Sequence, residues 1–222
     1  MKTKTRSVQQ IIEDQFKKWK AQKFEEKAKG PMPVVTISRE PGSGGEIIAG
    51  KLSDKLSFDL FHQEVIHEMA QAANVSTTLF ETLDEKGLNT LENWISSLVD
   101  DRHLWPDQYL QHLMKVVGAI GKHGRAVIVG RGANFILPPK GLFRVRVIAP
   151  MESRIRHVVE YFNVTKEQAK RRIIQTESDR RAFIRKYFHA NIADPQHYDM
   201  IVNTETFTLD AATDSIVTAM NM

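Results

Sequence analysis

The stretch Val34-Val-Thr-Ile-Ser-Arg-Glu-Pro-Gly-Ser-Gly-Gly-Glu-Ile-Ile-Ala-Gly-Lys51 constrains the fold of this chain more than any other. Val34 to Ile37 are four β-prone residues in a row, which predicts a short buried strand. Pro41, Gly42, Gly44 and Gly45 then interrupt regular structure. Ile47, Ile48, Leu52 and Leu56 resume at helical spacing, so a helix is expected to open near Gly45 or Glu46. Strand, glycine turn and helix form the layout of a phosphate cradle, in which turn amides and an open helix N-terminus converge on an anion. The strict pattern G-x-x-x-x-G-K-[ST] is not met. In the window that fits, Arg39 replaces the first glycine, Gly44 keeps the second, Gly45 replaces the lysine and Glu46 the serine or threonine. A tight turn without a ligand would use the same glycines. The rest of the chain has to decide between the two.

With 222 residues the chain suits one domain with insertions, or one domain plus a small lid. It has no run of eighteen apolar residues, so no membrane span is expected. The basic start, Met-Lys-Thr-Lys-Thr-Arg-Ser, lacks a following apolar region, so no secretory signal is expected. The absence of cysteine rules out disulfides and thiolate chemistry and fits a reducing, cytoplasmic setting. Against 27 acidic residues stand 31 basic ones, a net charge of +4. That mild bias suits an anionic small substrate. Nucleic-acid binding would call for a dense basic stripe, and none is expected here.

Residues from about Ser7 to Lys29 read as a charged helical extension, with Ile11, Ile12, Phe16, Trp19 and Phe24 loosely on one side. Packing of this stripe on the core, or on a second copy of the chain, is favoured over a membrane-surface role. Gly30-Pro-Met-Pro33 ends the extension. Phe58 to His62 reads as a second strand, Gln63 to Ala73 as a helix, and Ser76-Thr-Thr as the opening of another. Leu79 to Val117 is helical in pattern, a helical insertion between the second and third strands. Ala126 to Val129 is a third strand, covered on both faces, and it leads into Gly130-Arg-Gly-Ala-Asn134. A fourth strand runs from Phe143 to Ala149. Helices follow from Met151 to Phe162 and from Thr165 to Arg185, the latter opened by the capping box Thr165-Lys-Glu-Gln168. Met200 to Asn203 is the last strand, and a final helix starts after Thr208. Five apolar strands separated by helices imply a parallel sheet with helices on both faces, an α/β three-layer fold. Ligands then bind at the carboxyl ends of the strands, which puts Gly42 to Glu46, His62, Gln63 and Arg131 on one rim.

Arg131, between two glycines after a buried strand, offers a fork of donors matched to two phosphate oxygens. An arginine that merely pairs with an acid at the sheet edge is the competing reading. Arg180, Arg181 and Arg185 form a second basic group, in which Arg181 and Arg185, four apart, share one face of a helix that could close over transferring phosphates, and Arg180 points elsewhere. An exposed charged helix is the alternative there. The eight histidines show no metal spacing, and no serine lies in a nucleophile motif. Phosphoryl transfer onto another phosphate needs positioning and charge neutralisation, not a general base.

Ile37 to Gly45, Ile128-Val-Gly-Arg-Gly-Ala-Asn134 and Asp194-Pro-Gln-His-Tyr-Asp-Met-Ile-Val-Asn-Thr204 together closely resemble the cytidylate kinase-like family of P-loop proteins. The resemblance runs from about Val34 to the C-terminus. It implies a nucleoside monophosphate kinase fold over 34–222, with an acceptor-binding insertion at about 74–117 and a lid at about 165–190. It also implies ATP phosphates on Arg39, Gly42, Ser43, Gly44, Gly45 and Glu46, the acceptor on His62 and Arg131, and the lid arginines Arg180, Arg181 and Arg185 on the transferred group. Mg²⁺ would bridge the phosphates, with Glu46 as a candidate ligand. The departures are the missing lysine, the added carboxylate at Glu46, and His62 where true cytidylate kinases carry an aspartate. Lys51, six residues past Gly45, lies too far round the helix to replace the lysine, so Arg39 or a lid arginine is the expected substitute. Two functions stay open: an ATP-dependent kinase of a nucleoside monophosphate or similar acceptor, and a nucleotide sensor that keeps the fold without transfer.

Overall fold

The computed structural model describes residues 7–22, 33–72, 79, 82–104 and 106–220. Five strands build one parallel sheet: β1 (Val34–Arg39), β2 (Asp59–Phe61), β3 (Ala126–Val129), β4 (Leu142–Ile148) and β5 (Met200–Asn203), in the order β2-β3-β1-β4-β5. Val34 pairs with Ala126 on one side and with Leu142 on the other. The chain leaves β1 toward the β2 side and leaves β4 toward β5. The rim above β1 is therefore where the connections diverge, the place where such sheets bind ligands.

The period-two alternation of each strand divides the core into two layers. Val35, Ile37, Val127, Val129, Val145 and Val147 face α2 (Gly45–Leu56) and, at the end of the chain, a helix over Leu209–Met220. Val34, Ala126 and Ile128 face the other way, toward α1 (Val8–Gln22), α3 (Gln63–Gln71), α4 (Glu85–Asp101) and α5 (Gln108–His123). β3 is buried at all four positions, as its unbroken apolar run requires. A short helix α6 (Ala133–Ile136) follows it, and α7 (Met151–Phe162), α8 (Lys166–Phe188) and α9 (Leu209–Met220) complete the order.

α1 uses its apolar stripe within the chain. Ile12 and Trp19 are buried, and Trp19 stacks on His123 at 4.3 Å and on Phe61 at 5.8 Å. Lys18 pairs with Asp59. Ile11 stays exposed, and Phe24 and the expected helix start at Ser76 lie outside the described residues. No helix among the described residues is long and apolar enough to cross a membrane.

α8, 23 residues and so about 35 Å long, is opened by the expected capping box between Thr165 and Gln168. Ala169 and Ile173 pack on Ile155 and Val158 of α7, and Ile184 and Phe188 enter the main core. The helix is thus anchored at both ends, and its middle lies across the rim of the sheet.

Candidate active site

β1 runs two residues beyond the expected Ile37, so Ser38 and Arg39 belong to the sheet and deliver the chain into the glycine turn. Gly42 (φ +81°) and Gly44 (φ +80°) lie in the left-handed region, and α2 starts at Gly45 with no side chain capping it. Space is as tight as conformation. A Cβ on Gly42 would lie 2.6 Å from the Arg154 carbonyl oxygen, and one on Gly45 2.5 Å from the Arg39 Cβ. Ser43 is fully buried, and its hydroxyl donates to the carbonyls of Glu40 (2.8 Å) and Val147 (3.1 Å). Its backbone N–H also donates to the Glu40 carbonyl at 3.2 Å, and its own carbonyl accepts from the Thr204 hydroxyl at 2.8 Å, so Ser43 shapes the turn and the N–H groups of its glycine neighbours are the ones left to face an anion. Gly42→Ala combines a left-handed alanine with a clash against backbone, which should cost about 2–3 kcal/mol and lower Tm by roughly 5–10 °C. A melting curve that overlays the parent would contradict this account of the turn.

Arg39 occupies the space beside the turn. Only 5% exposed, it donates from Nε to Glu46 at 2.8 Å and from Nη2 to Gln63 at 3.0 Å. A Cβ on Gly130 would come within 2.5 Å of the Arg39 Nη1, so glycine there makes room for the guanidinium. His62 Nδ1 lies 3.0 Å from the other Glu46 oxygen. Burial alone would raise the Glu46 pKa, but the His62 hydrogen bond and the Arg39 charge outweigh it and hold the pKa at about 2. The same hydrogen bond raises the His62 pKa. Arg180 donates from Nη1 to the Arg39 carbonyl at 2.9 Å, and burial, together with the Arg39 charge, brings its pKa down to about 10.

This arrangement sets a pH dependence. A histidine whose folded pKa exceeds the unfolded value of about 6.5 stabilises fully below that value and loses its contribution as pH rises through the folded pKa. Glu46 stays ionised throughout. The melting temperature of the parent protein should therefore exceed that of His62→Gln most clearly at about pH 5–6, and the gap should close by about pH 9. A gap that stays constant with pH would show that His62 acts through packing alone.

Arg131 follows β3 with φ +53° between Gly130 (φ +77°) and Gly132 (φ +68°). Its guanidinium lies 5.6 Å from the Phe183 ring, and its Nε is buried without a hydrogen-bond partner among the described residues. The same holds for Asn134 Nδ2. Ser38, Arg39, Gln63, Arg131, Asn134 and Arg180 are among the residues lining a cavity of about 390 Å³ between the rim of the sheet and the middle of α8. Orphaned donors and three guanidinium groups, against the single carboxylate of Asp179, give the lining of this cavity a surplus of donors and positive charge that suits an anion.

Arg39, Arg131 and Arg180 line one cavity, and Arg39 connects it to the glycine turn through Gly45 and to Glu46, with His62 one hydrogen bond away through Glu46. Arg181 and Arg185 do not join them: Arg181 pairs with Glu177 and points outward, and Arg185 is exposed and does not line the cavity. The expectation that Arg181 and Arg185 form the facing pair while Arg180 points elsewhere is therefore reversed by the phase of α8. Lys51 is tied to Asp210 at 2.6 Å on the outer side of α2. A network the motifs do not mark supports the turn from below. Arg146 donates to Ser38 Oγ at 2.9 Å, and Arg154 lies 3.6 Å from Glu40 and 3.2 Å from Glu177 of α8. A charged residue inside the apolar run of β4 is the one signal that could have found Arg146.

The cradle and its arginines fit the phosphates of a nucleotide. For Mg²⁺ the described residues offer no group of three ligating side chains, and both Glu46 oxygens already have partners. The protein fits the ion only as a companion of the phosphates, which with water would supply its ligands.

The profile of the cytidylate kinase-like family matches residues 34–206. The chain is 26% identical over 185 residues to the cytidylate kinase of Ignicoccus hospitalis, covering 83% of this chain and 97% of that one. It is 21% identical over 194 residues to the cytidylate kinase of Methanocaldococcus jannaschii, covering 85% and 97%. The crystal structure of an uncharacterized protein from Eubacterium ventriosum shares the fold with a TM-score of 0.68 at 22% identity, covering 86% of this chain and 98% of that one.

Proposed function

The chain belongs to the cytidylate kinase-like family, and from that premise we propose that it transfers the γ-phosphoryl group of ATP to a nucleoside monophosphate, with CMP and dCMP as first candidates. The observation that carries this reading is the convergence of Arg39, Arg131 and Arg180 on one cavity beside the glycine turn. The turn amides at Gly42 to Gly45 hold the donor phosphates. Arg131, reached through two glycines, holds the acceptor phosphate. Arg39 supplies the positive charge that the absent lysine would have given, and Arg180 on α8 faces the group in transit. Mg²⁺, when it arrives with the nucleotide, offsets part of the phosphate charge.

An acceptor phosphate oxygen attacks the γ-phosphorus in line, a new P–O bond forms, and the bond to the β–γ bridging oxygen breaks, releasing ADP. The acceptor is already anionic, so no side chain has to remove a proton. α4 and α5 take the part of the acceptor-side insertion and α8 that of the lid. A second reading, nucleotide binding without transfer, is favoured by one feature: Arg39 is held by Glu46 and Gln63 before any ligand arrives.

A coupled ADP-release assay with Mg·ATP and CMP, dCMP, UMP, AMP or GMP separates the two. Turnover with one acceptor supports transfer. Saturable Mg·ATP binding with no turnover across the panel supports the sensor.

A further inference from the structure

A second, larger cavity of about 610 Å³ opens at the opposite, amino-terminal ends of the strands. Val34 and Leu142, the first residues of β1 and β4, belong to its wall. Along β1 that is about 16 Å from Arg39, so no single small ligand serves both places. α4 and the end of α5 supply the other walls, together with the segment between α6 and β4.

The lining has two kinds of surface. Leu91 and Leu137 are buried apolar side chains. Trp94 stands beside them with its indole N–H donated to the Ile136 carbonyl at 2.7 Å, which fixes the plane of the ring. Three lysines, Lys86, Lys122 and Lys140, also line the space, and none of them forms an ion pair among the described residues. The one carboxylate among the described lining residues, Asp84, is turned to its own helix, accepting from the Gly87 N–H at 2.8 Å as the N-cap of α4. Desolvation lowers the Lys122 pKa, with Asp84 pulling the other way. Three cations around an apolar, ring-faced hollow, with the only acid occupied, form a surface that an anion with a flat apolar body completes. The volume is that of a small-molecule site.

We propose that this cavity is a second ligand site, separate from the phosphate cradle. It would take a small aromatic or heteroaromatic anion whose ring lies on Leu91, Trp94 and Leu137 and whose charge meets Lys86, Lys122 and Lys140. The inference does not depend on the phosphoryl-transfer reading.

1-Anilinonaphthalene-8-sulfonate is a suitable probe, being a flat aromatic sulfonate whose fluorescence rises in a dry site. Titration of the full chain should give one saturable site. Lys122→Glu/Lys140→Glu should weaken it at least tenfold. Lys170→Glu, the same charge change on α8 away from the cavity, should leave it unaltered. Thr90→Trp fills the space without touching a charge and should also weaken binding at least tenfold, so the test survives if the double variant does not fold. Saturating Mg·ATP should not displace the probe. Equal affinity in the cavity variants, displacement by Mg·ATP, or the absence of a saturable phase would each overturn the proposal.

Discussion

Arg131→Ala should lower kcat/KM for the acceptor by about two to three orders of magnitude, while Mg·ATP affinity changes by no more than about twofold. The direction follows from position. Arg131 follows β3, whereas the glycine turn follows β1 and supplies none of residues 40–46 to the lining of the Arg131 cavity, so its loss should leave the donor cradle intact. Its Nε is buried with no hydrogen-bond partner among the described residues, and the Phe183 ring lies beside the guanidinium without satisfying that donor. A group held in a left-handed turn with unmet donors is preorganised for a ligand that supplies acceptors. Arg131→Lys should recover only a small part of the activity, because a single ammonium cannot reproduce the bidentate fork. Parallel titrations of ATP and acceptor decide the matter. Loss of ATP binding together with acceptor binding would remove Arg131 from the acceptor side.

Arg39→Met is expected to produce the second large effect, a fall in kcat/KM of about a thousandfold, the scale of the contribution of an arginine that neutralises a transferring phosphate. It should also lower stability, since Glu46 keeps only His62 and Gln63 loses its donor. These two consequences can be separated. In Arg39→Met/Glu46→Gln no unpaired carboxylate remains, so the melting temperature should return most of the way to that of the parent. Activity should not return, because the charge beside the glycine turn is still absent. A double variant that recovers turnover would show that Arg39 serves the fold alone and that another group replaces the lysine.

The reasons some features were readable and others not are local. β3 and α7 were found to the residue, because the first is an unbroken apolar run and the second starts after a proline and ends at an asparagine with φ +51°. The end of β1 was not, because Ser38 and Arg39 look like rim residues. Ser38 is covered by Arg146 and Tyr198, and Arg180 reaches the Arg39 carbonyl, contacts that join residues more than a hundred positions apart. The sequence marks the lid arginines as a group, but the spacing of Arg181 and Arg185 points to a face of α8 other than the one that lines the cavity. Ile173 and Ile184 mark the buried side of α8, and Arg180 lies seven residues after the first and four before the second, on that same side. Arg181 and Arg185 lie one position further round. Spacing among the arginines alone could not show this, whereas spacing against the isoleucines does. The pairing of Glu46 with Arg39 and His62 depends on where β2 ends, and no motif encodes it.

The family match begins at residue 34, yet Trp19, fifteen positions earlier, is 2% exposed between His123 and Phe61. Shared ancestry and cooperative folding therefore have different boundaries in this chain. A truncation made where the relatives begin would remove an indole that closes the outer side of α3 and α5. The hole left behind is worth about 3–5 kcal/mol, a large share of the 5–15 kcal/mol that holds a typical domain together. Such a fragment would keep every residue of the glycine turn and the arginine wall and still be prone to aggregate, with Phe61 and its neighbours newly open to water.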